Sequence, residues 1–104
     1  MEVKFLSDVN FAETIKANEI VLIDFYASWC GPCKMLSPIL EQVAKERPNI
    51  LIGKVNIDFE QIVSKEYNVW TIPTIIIFKN GKEYLRTLGF KTKEMLLELI
   101  DSVK

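Results

Sequence analysis

Histidine is absent from this chain, and cysteine occurs only twice, inside the run Trp29-Cys30-Gly31-Pro32-Cys33-Lys34. The first absence removes the usual neutral-pH acid and base, and the scarcity of cysteine leaves the pair no third thiol to work with. A closed zinc site needs four ligands, normally Cys and His, and only carboxylates remain once the pair is used, so no metal is expected. A structural staple is a poor use of the pair, because closing so short a loop is worth about 2 kcal/mol. Inert packing suits a lone cysteine, but Gly31 and Pro32 mark a tight turn at a helix start, where side chains tend to be exposed. What remains for two thiols at C-x-x-C spacing is electron exchange with another disulfide.

Long apolar runs are missing as well. Ile20–Ile23 and Ile75–Phe78 are far too short to span a bilayer, so no membrane partner is expected. Met1-Glu2-Val3-Lys4-Phe5 lacks the basic and apolar regions of a secretory signal, which leads to the expectation of a reducing cytosol. No cluster of Lys and Arg tracks phosphates, and the net charge is −1, so nucleic acid is not an expected partner. What is present is an ordinary globular composition: 104 residues, 49% hydrophobic and 26% charged, enough for one core and one domain, 1–104. Nothing marks a large interface, and a monomer is expected.

The apolar pattern alternates between short β-type runs and helical spacing, which predicts an α/β layer fold. Asn10 and Glu13 read as a capping box for a helix ending near Ala17-Asn18. Ile20–Tyr26 reads as a central strand covered on both faces. A helix then opens within Cys-Gly-Pro-Cys and runs to about Arg47, with Met35, Leu36, Ile39, Leu40, Val43 and Ala44 as one apolar stripe and a kink expected at Pro38. Ile50–Asn56 is a further strand, and Asp58 is expected to cap a short helix burying Ile62, Val63 and Tyr67. Thr74–Phe78 and Glu83–Leu88 flank Asn80-Gly81, a strong hairpin signal, and Thr92 caps a last helix bearing Leu96, Leu99, Ile100 and Val103. The predicted order is β-α-β-α-β-α-β-β-α, a mixed central sheet flanked by helices.

The chemistry follows from residue types. Exchange needs a thiolate, and an unperturbed cysteine is only about 3% ionised at pH 7. A helix amino terminus stabilises an anion by roughly 0.3 to 2 kcal/mol. Cys30 precedes the helix and is expected to be the more exposed, hence the nucleophile; Cys33 lies one turn in and resolves the mixed disulfide. Resolution requires a base, and Asp24, in an otherwise apolar strand, is the candidate, with desolvation raising its pKa. A structural ion pair between Asp24 and Lys54 is the competing reading. Gly31-Pro32 sets the distance between the sulfurs and so tunes the redox equilibrium. The alternative readings are a surface lysine at a strand edge for Lys54 and a core tryptophan for Trp29, and from frequency alone Pro73 is expected to be trans.

The motifs together, Asp24-Phe25-Tyr26-Ala27-Ser28 before Trp-Cys-Gly-Pro-Cys-Lys, Pro38, Lys54-Val55-Asn56-Ile57-Asp58, Ile72-Pro73-Thr74, Phe78-Lys79-Asn80-Gly81 and Gly89, resemble the thioredoxin family over essentially the whole chain. The resemblance implies a thioredoxin fold and a protein-disulfide reductase that a thioredoxin reductase recharges, with disulfide-containing proteins as substrates and no cofactor beyond the Cys30–Cys33 disulfide. It matches Asp24 to the family's buried proton acceptor and Lys54 to the lysine beside it, and it associates Gly31-Pro32 with reductants. It makes Ile72-Pro73 a cis-proline loop whose backbone pairs with substrate, and Trp29, Gly31, Ile72 and Gly89 an apolar rim around Cys30. Tyr26 replaces a tryptophan common in the family, and Trp70-Thr71 replaces a more polar, glycine-containing approach to the proline; both departures are expected to bear on partner choice rather than on the redox step. A disulfide isomerase or oxidase, and a binding module that needs the fold but not the thiols, are the alternative readings.

Overall fold

The computed structural model describes residues 3–104. Five strands form one sheet in the order β1-β3-β2-β4-β5, with β1 at Val3–Phe5, β2 at Ile20–Tyr26, β3 at Leu51–Asn56, β4 at Thr74–Lys79 and β5 at Lys82–Leu88. β1, β3 and β2 run parallel, β4 runs antiparallel to β2, and β5 antiparallel to β4. Four helices alternate with them: α1 at Phe11–Ala17, α2 at Gly31–Glu46, α3 at Gln61–Glu66 and α4 at Lys93–Asp101.

The period of two along each strand sorts side chains into two cores. Val21, Ile23 and Phe25 of β2 face one way, where they pack with Phe11 and Ile15 of α1 and Val63 of α3. Leu22 faces the other way, with Leu36, Leu40 and Val43 of α2 and Leu96 and Ile100 of α4. The sheet is therefore covered on both faces, as its apolar strands predicted. Gly53 sits at a close approach: a Cβ there would stand 2.9 Å from Leu6 Cδ1 and 3.0 Å from Ile23 Cδ1, so the ends of those side chains would have to move.

Local signals succeeded where the partner is nearby. Asn80 and Gly81 have φ of 52° and 82°, both in the left-handed region a two-residue hairpin turn needs, and Thr92 Oγ1 accepts from the Met95 amide. Two other expected caps do not form. Asn10 turns its side chain back to accept from the Ser7 amide, so no capping box closes at α1. Asp58 does not cap α3 either; Asp8, from the loop after β1, accepts from the amides of Ile62 and Val63 instead.

Two members of the expected apolar faces are outside. Met35 is exposed because α2 buries a narrow stripe, Cys33, Leu36, Leu40, Val43 and Ala44, and Met35 falls beside it. Ile62 is exposed because α3 is a six-residue helix with only Val63 and Ser64 turned inward. Helix α2 continues through Pro38 as one element.

Candidate active site

Strand register brings the site together. β2 ends at Tyr26, and because β4 runs the other way, Phe25 lies opposite Thr74, so the segment entering β4 meets the segment leaving β2. That entering segment is Ile72-Pro73, whose peptide bond is cis, in agreement with the family resemblance and against the trans expectation from frequency alone. Ile72 packs against Ala27, Cys30 and Cys33, and the Gly89 amide donates to the Pro73 carbonyl at 2.8 Å. Thr74 Oγ1 donates to the Thr71 carbonyl and closes the turn.

Cys30 is the N-cap residue of α2, with Gly31 and Pro32 opening the first turn. Its sulfur stands at disulfide distance from that of Cys33, with Cα atoms 5.2 Å apart, and accepts from the Cys33 amide at 3.2 Å. A backbone donor at the positive end of a helix thus aims at the sulfur expected to carry charge. Cys30 is only 5% exposed and Cys33 3%, so the expected contrast in exposure is slight. Packing of Ala27 and Ile72 over the pair covers both residues. Trp29 stands outside at 69% exposed, its Nε1 donating to Asp58 Oδ2, which removes the core-tryptophan alternative and gives Asp58 a partner the sequence did not suggest.

Asp24 is wholly buried on the α2 face of β2, and among the described residues neither carboxyl oxygen has a hydrogen-bond partner. Burial pushes its pKa from 3.8 up to about 7, with the Lys54 ammonium pulling the other way. Lys54 is the register partner of Asp24 on β3 and is itself buried, not the surface lysine of the alternative reading. Nor do the two form an ion pair. Lys54 Nζ donates to Ser37 Oγ at 2.8 Å and lies 4.5 Å from the centroid of the Tyr26 ring. Tyr26 therefore packs against the Lys54 ammonium.

Ser37 was not singled out in the sequence. The available signal was its spacing: it lies one helical turn past Cys33 and so shares that face of α2. Tyr26, Ala27, Ser28, Cys33, Lys34, Ser37 and Lys54 line an open cleft of about 200 Å³. Among the described residues, no group of three or more His, Cys, Asp or Glu side chains comes together as a metal site.

A family model described as Thioredoxin matches residues 2–102. The chain belongs to the thioredoxin family. It is 51% identical over 98 residues to the thioredoxin of Chlamydia trachomatis, covering 94% of this chain and 95% of that protein. It is 42% identical over 94 residues to a bifunctional thioredoxin reductase/thioredoxin of Mycobacterium leprae, covering 89% of this chain and 20% of that longer protein. Among solved structures, a single-substitution mutant of the thioredoxin from Halobacterium salinarum superposes with a TM-score of 0.91 at 32% identity, covering 97% of this chain and 89% of the other. Thioredoxin membership, with two active-site cysteines at bonding distance, makes this chain a thiol-disulfide oxidoreductase that reduces protein disulfides.

Proposed function

We propose that Cys30 attacks and Cys33 resolves. The Cys30 thiolate displaces one sulfur of a substrate disulfide, giving a mixed disulfide and one substrate thiolate. Cys33 then yields its proton to Asp24, and its thiolate attacks Cys30 Sγ, closing the Cys30–Cys33 bond and releasing the second substrate thiolate. Two electrons pass to the substrate. The observation that carries this order is the Cys33 amide directed at Cys30 Sγ at the start of α2. The proton-acceptor role of Asp24 is supported by a buried, unpartnered carboxyl with a pKa near neutrality, a good match to an operating pH near 7. Gly31-Pro32 and Lys54 tune the equilibrium, the first by fixing the turn and the second as the charge nearest Asp24.

The apolar rim of Trp29, Gly31, Ile72 and Gly89, beside the buried Pro73, receives an extended substrate segment, which pairs with the backbone of Ile72. The exposure of Trp29 and the contact of Ile72 with the cysteines support this. The substrates are disulfide-containing proteins, and a thioredoxin reductase recharges the pair; the Mycobacterium leprae relative, which carries both names on one chain, supports that partner. The chain works as a single domain, 1–104, and as a monomer in a reducing cytosol. No helix among the described residues is long and apolar enough to cross a membrane. The dithiol supplies the electrons, so the reaction as proposed draws on no further cofactor.

The decisive experiment is reduction of insulin disulfides by dithiothreitol, comparing the protein with Cys30→Ser and Cys33→Ser. The protein accelerates the reaction, Cys30→Ser does not, and Cys33→Ser accumulates a mixed disulfide through Cys30. Mixed-disulfide capture through Cys33 in the Cys30→Ser protein, at the rate seen for Cys30, would reverse the assignment.

A further inference from the structure

Asp24 and Lys54 are register partners on adjacent parallel strands, point to the same face, and are both buried. An opposite charge within about 4–6 Å would lower a carboxyl pKa by roughly 1–3 units, and in a buried setting the attraction is weakly screened. Yet the ammonium lies elsewhere, on Ser37 Oγ of α2 and over the Tyr26 ring, while the carboxyl has no partner. The other titratable or charged groups facing this place are Cys33 and Lys34 of α2, which line the same cleft, and Glu60, which acts on Tyr26; β4 presents only Ile75 opposite Asp24. None of them supplies an acceptor for Lys54 in place of Ser37.

We infer that Ser37 is a positioning residue, whose hydroxyl holds the Lys54 ammonium off the Asp24 carboxyl and so keeps that carboxyl free to take a proton. Without the hydroxyl, the only buried side-chain acceptor left without a partner among the described residues is the Asp24 carboxyl, on the neighbouring strand in register with Lys54. Lys54 then swings to it, the carboxylate is stabilised, and Asp24 becomes a weaker base. Ser37 thus acts through Lys54 and touches neither sulfur nor substrate. Its catalytic meaning rests on the role proposed for Asp24, but the geometry can be tested without that role.

The test is the titration of the Asp24 carboxyl, followed by its carbon-13 chemical shift in the oxidised protein, where the disulfide cysteines do not titrate and cannot couple to it. Ser37→Ala lowers the Asp24 midpoint by about one unit, a tenfold change in proton affinity. Ser37→Thr, which keeps a hydroxyl, leaves it in place. In a Lys54→Met background, Ser37→Ala moves it no further. An unchanged or raised midpoint in Ser37→Ala, or an equal fall in the Lys54→Met background, would overturn the inference. Because no turnover is measured, these outcomes are independent of whether Asp24 serves Cys33, which the insulin assay addresses.

Discussion

Asp24 concentrates the molecule's electrostatic cost in one side chain. Its native pKa of about 7 stands above an ordinary 3.8, so the folded state holds a proton that the unfolded chain has already released between those values. The contribution of Asp24 to stability is therefore fullest below pH 3.8, falls as pH rises toward 7, and levels off above it. At about 1.4 kcal/mol per unit the loss reaches about 4 kcal/mol. Asp24→Asn is expected to be more stable than the parent by up to about that amount at pH 8 and to lose the advantage near pH 4, as read from urea denaturation at both pH values. Trp29 offers the opposite case, an exposed aromatic whose indole N–H donates to Asp58 at the surface. Trp29→Ala should change stability by less than about 0.5 kcal/mol while raising KM for protein disulfides. The chemistry of both cysteines was readable because C-x-x-C is local, and Asp24 stood out as a charge in an apolar strand. The burial of Lys54 was not readable, since a single lysine in β3 gives no hint that strands flank it on both sides.

At the scale of elements, the legible features are those whose two ends lie within one turn or one hairpin. Thr92 caps α4 from three residues away, and Asn80-Gly81 reverses the chain with no distant help. The caps misplaced at Asn10 and Asp58 failed for different reasons: Asn10 accepts from the Ser7 amide just upstream, and Asp58 takes a donor from a distant segment. Asp58 receives the Trp29 indole, 29 residues away, and α3 is capped by Asp8 from 54 and 55 residues away. Asp8→Ala should cost about 1 kcal/mol, measured by the shift in denaturation midpoint, because it leaves the Ile62 and Val63 amides without a side-chain acceptor. The same change should leave the insulin-reduction rate within about twofold, since Asp8 lies outside the cysteine cluster.

Across the whole molecule, the order β1-β3-β2-β4-β5 is what makes the site, since it alone sets the start of β4 beside the end of β2. Periodicity predicted the strands and the final hairpin but not the order of the strands across the sheet, which the structure supplies. Two cores share one sheet, so neither can dissolve without exposing the other. Unfolding followed by far-ultraviolet and near-ultraviolet circular dichroism should therefore give coincident transitions, and separated midpoints would contradict the single-domain proposal. The remote cap on α3 carries a consequence for the order of assembly. A six-residue helix has little persistence alone, and the group that seals its first turn arrives only when the loop beyond β1 has docked. α3 should thus be a late arrival in refolding and an early departure in local opening. That gives a mobile hem to the side of the protein where the Trp29 indole meets Asp58.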